Sequence, residues 1–261
     1  MLCVGLDPDP SKFPAGFART VDSAETFCRG MIDATAHVAC AFKPQVAYFA
    51  SQGAEAALER VCEYVLSEYP EVTLILDAKR GDIDSTAAQY AREAFLRYGA
   101  HAVTVNPYLG TDSIVPYFDE VNNPDGGGVI VLCRTSNPGG DDLQSLMVED
   151  PSGDHRPLYA QVAKLAADRW AAFGELALVV GAPYPRELAD VRALVGDLPI
   201  LVPGVGAQGG DPRVVREHGA RADGRGLIVN SSRAILYADS GPGYIQAARD
   251  EAERTAAHLG C

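Results

Sequence analysis

The run Leu74-Ile75-Leu76-Asp77-Ala78-Lys79-Arg80-Gly81-Asp82 sets ionisable groups directly behind an apolar segment that reads as a buried β-strand. Side chains alternate across a strand, so Ile75, Asp77 and Lys79 share one face, with an ammonium beside a carboxylate. Asp82 arrives just past the strand end. Burying such charges is costly unless they pair or work, and the work open to them is charge stabilisation and proton transfer. A structural ion pair at a strand end is the other reading of the same cluster.

Chemistry at a strand's carboxyl end is the habit of parallel α/β folds, and the rest of the chain repeats that rhythm. Apolar runs at 2–6, 41–46, 74–78, 102–105, 128–132, 176–180, 200–202 and 227–230 read as strands, each followed by a helical segment. The clearest helices are expected at 24–38, 55–66, 85–98, 158–173 and 244–258. Eight strand-helix units in 261 residues predict a single (β/α)8 TIM barrel spanning 1–261. The competing fold is a doubly wound open sheet, but no GxGxxG opens the first helix. One segment, 134–157, exceeds an ordinary strand-to-helix loop. Its first part, 135–140, is expected to face a substrate, and its acidic part, 149–154, to be solvated surface.

With 35 Asp and Glu against 22 Lys and Arg, the formal charge is −13, which argues against nucleic acid or an anionic membrane as partner. An anionic ligand would need a local positive patch, and Lys43, Lys79 and Arg233 supply candidates. Cys3, Cys28, Cys40, Cys62, Cys133 and Cys261 show no CxxC spacing and read as reduced packing residues. The histidines form no HExxH or Cys/His cluster, so no metal site is expected. Met1 opens no basic-then-apolar leader and no apolar run is long enough for a bilayer, so the expectation is a cytoplasmic protein.

Mapped onto strand ends, the polar residues gather at one mouth of the barrel: Asp7, Lys43, Asp77, Lys79, Asn106, Ser136, Gln208 and the stretch 230–233. The Gly-rich segment 203–210 follows the seventh expected strand and Arg233 the eighth, positions where such barrels often hold a phosphate. Arg233 offers planar donors and the glycines allow backbone amides to approach an anion, although a tight turn with a surface arginine has the same sequence.

These residues resemble the orotidine 5′-phosphate decarboxylase family, in the longer branch found in many bacteria. The matching motifs are CVGLDP (3–8), FKPQVAYF (42–49), DAKRGDI (77–83), VNPYLG (105–110), TSNPGG (135–140), VPGVGAQGGD (202–211) and VNSSRAI (229–235). The resemblance implies a cofactor-free lyase that converts orotidine 5′-monophosphate to UMP and carbon dioxide. It implies Lys79 as proton donor to C6, held by Asp77 in a network with Lys43 and Asp82. It also implies a homodimer in which Asp82 and Thr86 reach the neighbouring subunit's site. Asp7 and Lys43 are then expected on the ribose, Ser136 on the pyrimidine edge, and Gly206, Gln208 and Arg233 on the phosphate, with 204–210 as a lid.

The rival on the same barrel is a magnesium-dependent sugar-phosphate decarboxylase or aldolase, which resembles this chain in its DxKxxD core. Such enzymes place an acidic metal ligand at the end of the second strand, where this chain has Lys43. A non-catalytic phosphate-ligand binding protein is the alternative from another class, and it would have lost the Lys and Asp residues. Two departures from the family stand out: the first strand begins almost at Met1, which could leave the barrel floor less covered, and Pro183 stands where threonine is common.

Overall fold

The computed structural model describes residues 1–18, 20–206 and 209–260. Among the described residues ten strands are present: β1 (Leu2–Leu6), β2 (Ala39–Pro44), β3 (Thr73–Arg80), β4 (Ala102–Val105), β5 (Gly128–Arg134), β6 (Met147–Glu149), β7 (His155–Pro157), β8 (Leu176–Val180), β9 (Ile200–Pro203) and β10 (Leu227–Ser231). Eight of them close into a parallel barrel in the order β1-β10-β9-β8-β5-β4-β3-β2. Each lies where the apolar runs predict a strand, because strands buried on both faces are apolar nearly throughout. Inside the barrel, Cys3, Ala41, Ile75, Ala102, Ile130, Ala177, Val179 and Leu201 pack together, small residues interleaved with branched ones. Outward-facing residues such as Leu2, Val4, Phe42, Leu74, Leu76, Val103 and Val131 pack against the helices in a second, larger core.

The helices are α1 (Val21–Thr35), α2 (Val46–Ala50), α3 (Glu55–Glu68), α4 (Asp84–Arg92), α5 (Leu158–Asp168), α6 (Pro185–Val195), α7 (Pro212–Gly219), α8 (Arg233–Leu236) and α9 (Tyr244–Leu259). The helix expected at 85–98 ends its α-helical part at Arg92 and continues as one π-helical turn, Glu93–Arg97. The helix expected at 158–173 stops at Asp168, and a 3-10 turn, Trp170–Ala172, follows.

One expectation about the connections fails. No α-helix follows β4: Pro107, Pro116 and Gly110 (φ +90°) interrupt the segment, which folds into three 3-10 turns. The acidic stretch 149–154 lies at the surface as expected, exposed at every residue but Asp150, and it forms the turn of an antiparallel hairpin, β6 with β7. Asp150 is buried there, accepting hydrogen bonds from Ser152 N, Ser152 Oγ and Asp154 N and pairing with Arg156 at 2.9 Å. Cys3, Cys28, Cys62 and Cys133 are buried free thiols as expected, but Cys40 is exposed, and Cys261 lies outside the described residues.

Strand β1 is wholly buried, so its early start leaves no strand face open to solvent. The floor near β9 and β10 is stitched by Arg192 of α6, which donates to the carbonyls of Gly219 (2.7 Å), Gly196 (2.6 Å), Leu198 (2.8 Å) and Gly226 (2.8 Å). Among the described residues no helix is long and apolar enough to cross a membrane. Because one guanidinium satisfies four carbonyls at loop ends, Arg192→Ala is expected to cost about 2–4 kcal/mol in urea unfolding. A loss under about 0.5 kcal/mol would show that water replaces it freely.

Candidate active site

At the carboxyl ends of the barrel strands lies a cavity of about 420 Å³, within the usual range for small-molecule sites. Strand alternation brings Lys43 from β2, Asp77 from β3 and Thr104 from β4 to its wall, one register step above Ala41, Ile75 and Ala102 of the barrel core. Asp77 is buried and accepts from two ammoniums: Lys43 Nζ on Oδ2 and Lys79 Nζ on Oδ1, each at 2.6 Å. Burial alone would raise the Asp77 pKa, but the two lysines outweigh it and hold the carboxyl far below its ordinary range. Burial would likewise discharge Lys43, yet Asp77 and Asp7 raise its pKa well above the ordinary lysine value. The two ammoniums differ in reach: the Lys43 side chain is 6% exposed and that of Lys79 44%.

Lys79 sits beside Asp77 by an unusual route. Its φ is +48°, and Asp84 is the other non-glycine residue with positive φ among the described residues. The pairing of β3 with β4 slips between Leu76 and Arg80, so strict alternation does not carry the chain from Asp77 to Lys79.

Asp7, Asn230, Ser232 and Arg233 line the opposite wall with Pro203, Gly204 and Val205. Asp7 Oδ2 accepts from Ser232 Oγ at 2.5 Å, while Oδ1 is buried with no partner among the described residues. Tyr237 Oη fixes the backbone there, donating to the Asp7 carbonyl and accepting from Asp9 N, both at 2.7 Å. The Gly-rich segment turns back on itself: Gly206 N donates to Gly210 O and Gly210 N to Gly204 O, with positive φ at Gly204, Gly206 and Gly209. The exposed Arg233 guanidinium has no partner among the described residues.

Ser136 reaches the cavity from the loop after β5, together with Thr135 and Asn137. This loop is anchored rather than free. Arg134, only 1% exposed, pairs with Asp141 at 2.6 Å and lies 3.7 Å from the centre of the Tyr184 ring. Gln144 accepts from Thr135 N and donates to Thr135 Oγ1, both at 2.8 Å. Ser136 is pressed against Gly181, where an added Cβ would stand 2.7 Å from Ser136 Cα. The next residues make a tight turn, Tyr184 N to Gly181 O, in which the exposed Pro183 has no N–H to satisfy.

Residues 1–248 match the model of the "Orotidine 5′-phosphate decarboxylase / HUMPS family". The chain belongs to this family. A relative from Janthinobacterium sp. (strain Marseille), named orotidine 5′-phosphate decarboxylase, is 59% identical over 254 residues, covering 97% of this chain and 90% of the relative. Among solved structures, the Leishmania donovani OMP decarboxylase matches with a TM-score of 0.82 at 39% identity, covering 100% of this chain and 94% of that one. The Leishmania donovani UMP synthase gives 0.83 at 42% identity, covering 98% of this chain but 53% of that one.

Of the residues expected in the decarboxylase family site, the structure brings Asp7, Lys43, Asp77, Lys79, Ser136 and Arg233 around one cavity. Gly206 lies beside it in the folded-back turn, and Gln208 lies outside the described residues. Asp82 and Thr86 do not line it: Asp82 Oδ1 accepts from Ile83 N, and Thr86 is exposed. Asn106 is also absent, its side chain capping the turn that begins at Pro107. Sequence reasoning missed Thr104 and Arg134. Thr104 carries a signal, since it stands two residues after inward-facing Ala102. Arg134 carried none beyond its place at the end of β5.

Removing the Asp77 charge leaves Lys43 buried and unpaired, so Asp77→Asn is expected to cost about 3–5 kcal/mol at neutral pH. Because the folded-state pKa is depressed, this contribution is complete above the ordinary value of 3.8, shrinks below it, and vanishes once pH falls beneath the folded value. Urea unfolding of both proteins should give a constant gap from about pH 7 to 5. A gap that closes by about pH 6 would contradict the assignment.

Proposed function

We propose that this chain decarboxylates orotidine 5′-monophosphate to UMP and carbon dioxide without a cofactor. The observation that carries this reading is a buried carboxylate, Asp77, gripped by two ammoniums at the mouth of the barrel. When the bond from C6 to the carboxylate breaks, its electron pair stays on C6, in the plane of the ring, where no π system accepts it. A preorganised cation facing C6 is what such a step requires. Lys79 is assigned that place, because it combines contact with Asp77 and partial exposure to the cavity, whereas Lys43 is enclosed. The Lys79 ammonium then gives its proton to C6, and the resulting amine is reprotonated from solvent after UMP leaves. Asp77 orients the ammonium and disfavours the substrate carboxylate beside it in the ground state.

The remaining roles follow from position. Asp7, with a buried oxygen that has no partner among the described residues, and Lys43 take the ribose hydroxyls. Ser136 reads the pyrimidine edge. Arg233, unpaired among the described residues, holds the phosphate with Gly206 and Gln208, the last assigned from sequence position alone. Phosphate binding far from C6 supplies energy for closure of the 204–210 turn and for desolvation at the reacting carbon. Asp82 and Thr86 complete the site of a second copy in a homodimer, a reading supported by their placement outside their own cavity, with Asp82 half-buried and Thr86 and the intervening Ile83 exposed. A cytoplasmic setting fits a nucleotide substrate.

Against the magnesium-dependent lyases stands Lys43: its raised pKa keeps an ammonium at the end of β2, where it would repel a divalent cation. The test is the ultraviolet change of orotidine 5′-monophosphate with EDTA-treated protein, expected to proceed equally with and without magnesium. No turnover in EDTA, with turnover of a sugar phosphate once magnesium is added, would overturn the proposal. Lys79→Ala is expected to lose about 10³-fold or more in turnover while still binding UMP. Near-normal turnover in that variant would remove Lys79 from its role. Mixing Lys79→Ala with Asp82→Ala subunits should regenerate competent sites, and no recovery after confirmed subunit exchange would count against the shared site.

A further inference from the structure

We propose that Thr104 is the positioning residue for the Asp77 and Lys79 pair, its one hydroxyl standing in for a broken stretch of sheet and thereby setting where the Lys79 ammonium points. The inference rests on the decarboxylase reading for what that ammonium does, and on independent geometry for how it is placed.

The register provides the starting point. Ile75 pairs with Ala102 and Leu76 with Val103, but the next pair is Arg80 with Val105. Four steps along β3 therefore face two along β4, and the N–H groups of Ala78 and Lys79 have lost regular ladder partners. Both donate instead to Thr104 Oγ1, each at 3.0 Å. A hydroxyl offers two acceptor lone pairs and one proton. With both lone pairs engaged, the proton is left to donate, and it is aimed at Asp77 Oδ1, 2.9 Å away. The direction of all three bonds is thus fixed by counting.

Two consequences converge on the reacting ammonium. A lysine in the left-handed region persists only where its surroundings hold it there, and the bond from Lys79 N to Thr104 is such a hold. Asp77 Oδ1 also takes the Lys79 ammonium, while Oδ2 is occupied by Lys43. Thr104 therefore touches both members of the pair: the backbone of the lysine and the carboxylate that its ammonium contacts. Threonine suits the task because branching at Cβ restricts χ1 and keeps the hydroxyl aimed. Thr104 is 1% exposed, and its neighbour Val105 faces the other way into the outer core.

The test compares wild type, Thr104→Val and Thr104→Ser in steady-state decarboxylation of orotidine 5′-monophosphate, with UMP affinity measured by calorimetry. Thr104→Val keeps the shape and removes the hydroxyl; it is expected to lower kcat roughly 10- to 100-fold, because a misplacement of about 1 Å suffices for such a loss. KM and UMP affinity should stay within about threefold of wild type, the signature of an interaction that matters in the transition state. Thr104→Ser, which keeps the hydroxyl, should recover most of kcat. If Thr104→Val does not fold, Thr104→Ala is judged by the same split.

A wild-type protein without turnover would overturn the decarboxylase reading and this inference with it. Normal wild-type turnover, with kcat of Thr104→Val within about twofold of it, would overturn this inference alone. Equal losses in the Ser and Val variants, or a parallel loss of UMP affinity, would also overturn it, since either marks a general structural role.

Discussion

One carboxylate has to serve two ammoniums in a place with little water, and much of the molecule is arranged around that requirement. Lys43 and Asp77 come from adjacent strands, so the parallel barrel itself sets their spacing, while Lys79 is brought to the same carboxylate by the slip in β3. A buried ion cluster is weak evidence for stability, because well-packed apolar residues of similar volume often do as well. Its presence at the strand ends, above a barrel filled by alanine, isoleucine and leucine, marks a concession of packing to chemistry. In a chain of net charge −13, Lys43, Lys79 and Arg233 outnumber Asp7 and Asp77 around the cavity, a local excess of positive charge where an anionic ligand would enter.

Three arginines show how one side-chain type is put to different uses by its surroundings. Arg192 is spent on four backbone carbonyls and binds the floor. Arg134 is enclosed between Asp141 and the Tyr184 ring and binds two mouth loops to each other. Arg233 has no partner among the described residues and faces the cavity. The first two rigidify the frame, and the third is left with its donors available to a ligand.

Much of this was legible in the sequence, for identifiable reasons. Strands buried on both faces announce themselves as apolar runs, so β1, β4 and β8 fall where the pattern puts them. Charges interrupting the ends of the apolar runs around 41–46 and 74–78 located Lys43, Asp77 and Lys79, since strand ends meet at one mouth by topology alone. Local irregularity was not legible. The slip between β3 and β4 depends on a side chain from another strand, and the replacement of a helix after β4 depends on Pro107, Gly110 and Pro116 acting in succession. Thr104 escaped notice because a threonine in a buried strand is ordinary β-former composition until its partners are known. Arg134 escaped because an arginine at a strand end has no pattern that distinguishes enclosure from exposure.

The left-handed backbone at Lys79 also bears on how the molecule comes into being. The backbone N–H of Lys79 is held by a hydroxyl on the neighbouring strand, at a sequence separation of 25 residues. Contacts of that kind form only after the loop between their partners has closed. A chain with its helices formed and its strands still unpaired would carry every charge of the site and none of its geometry. Barrel closure and chemical competence are therefore one event, and a partly assembled form of this protein is inert by construction.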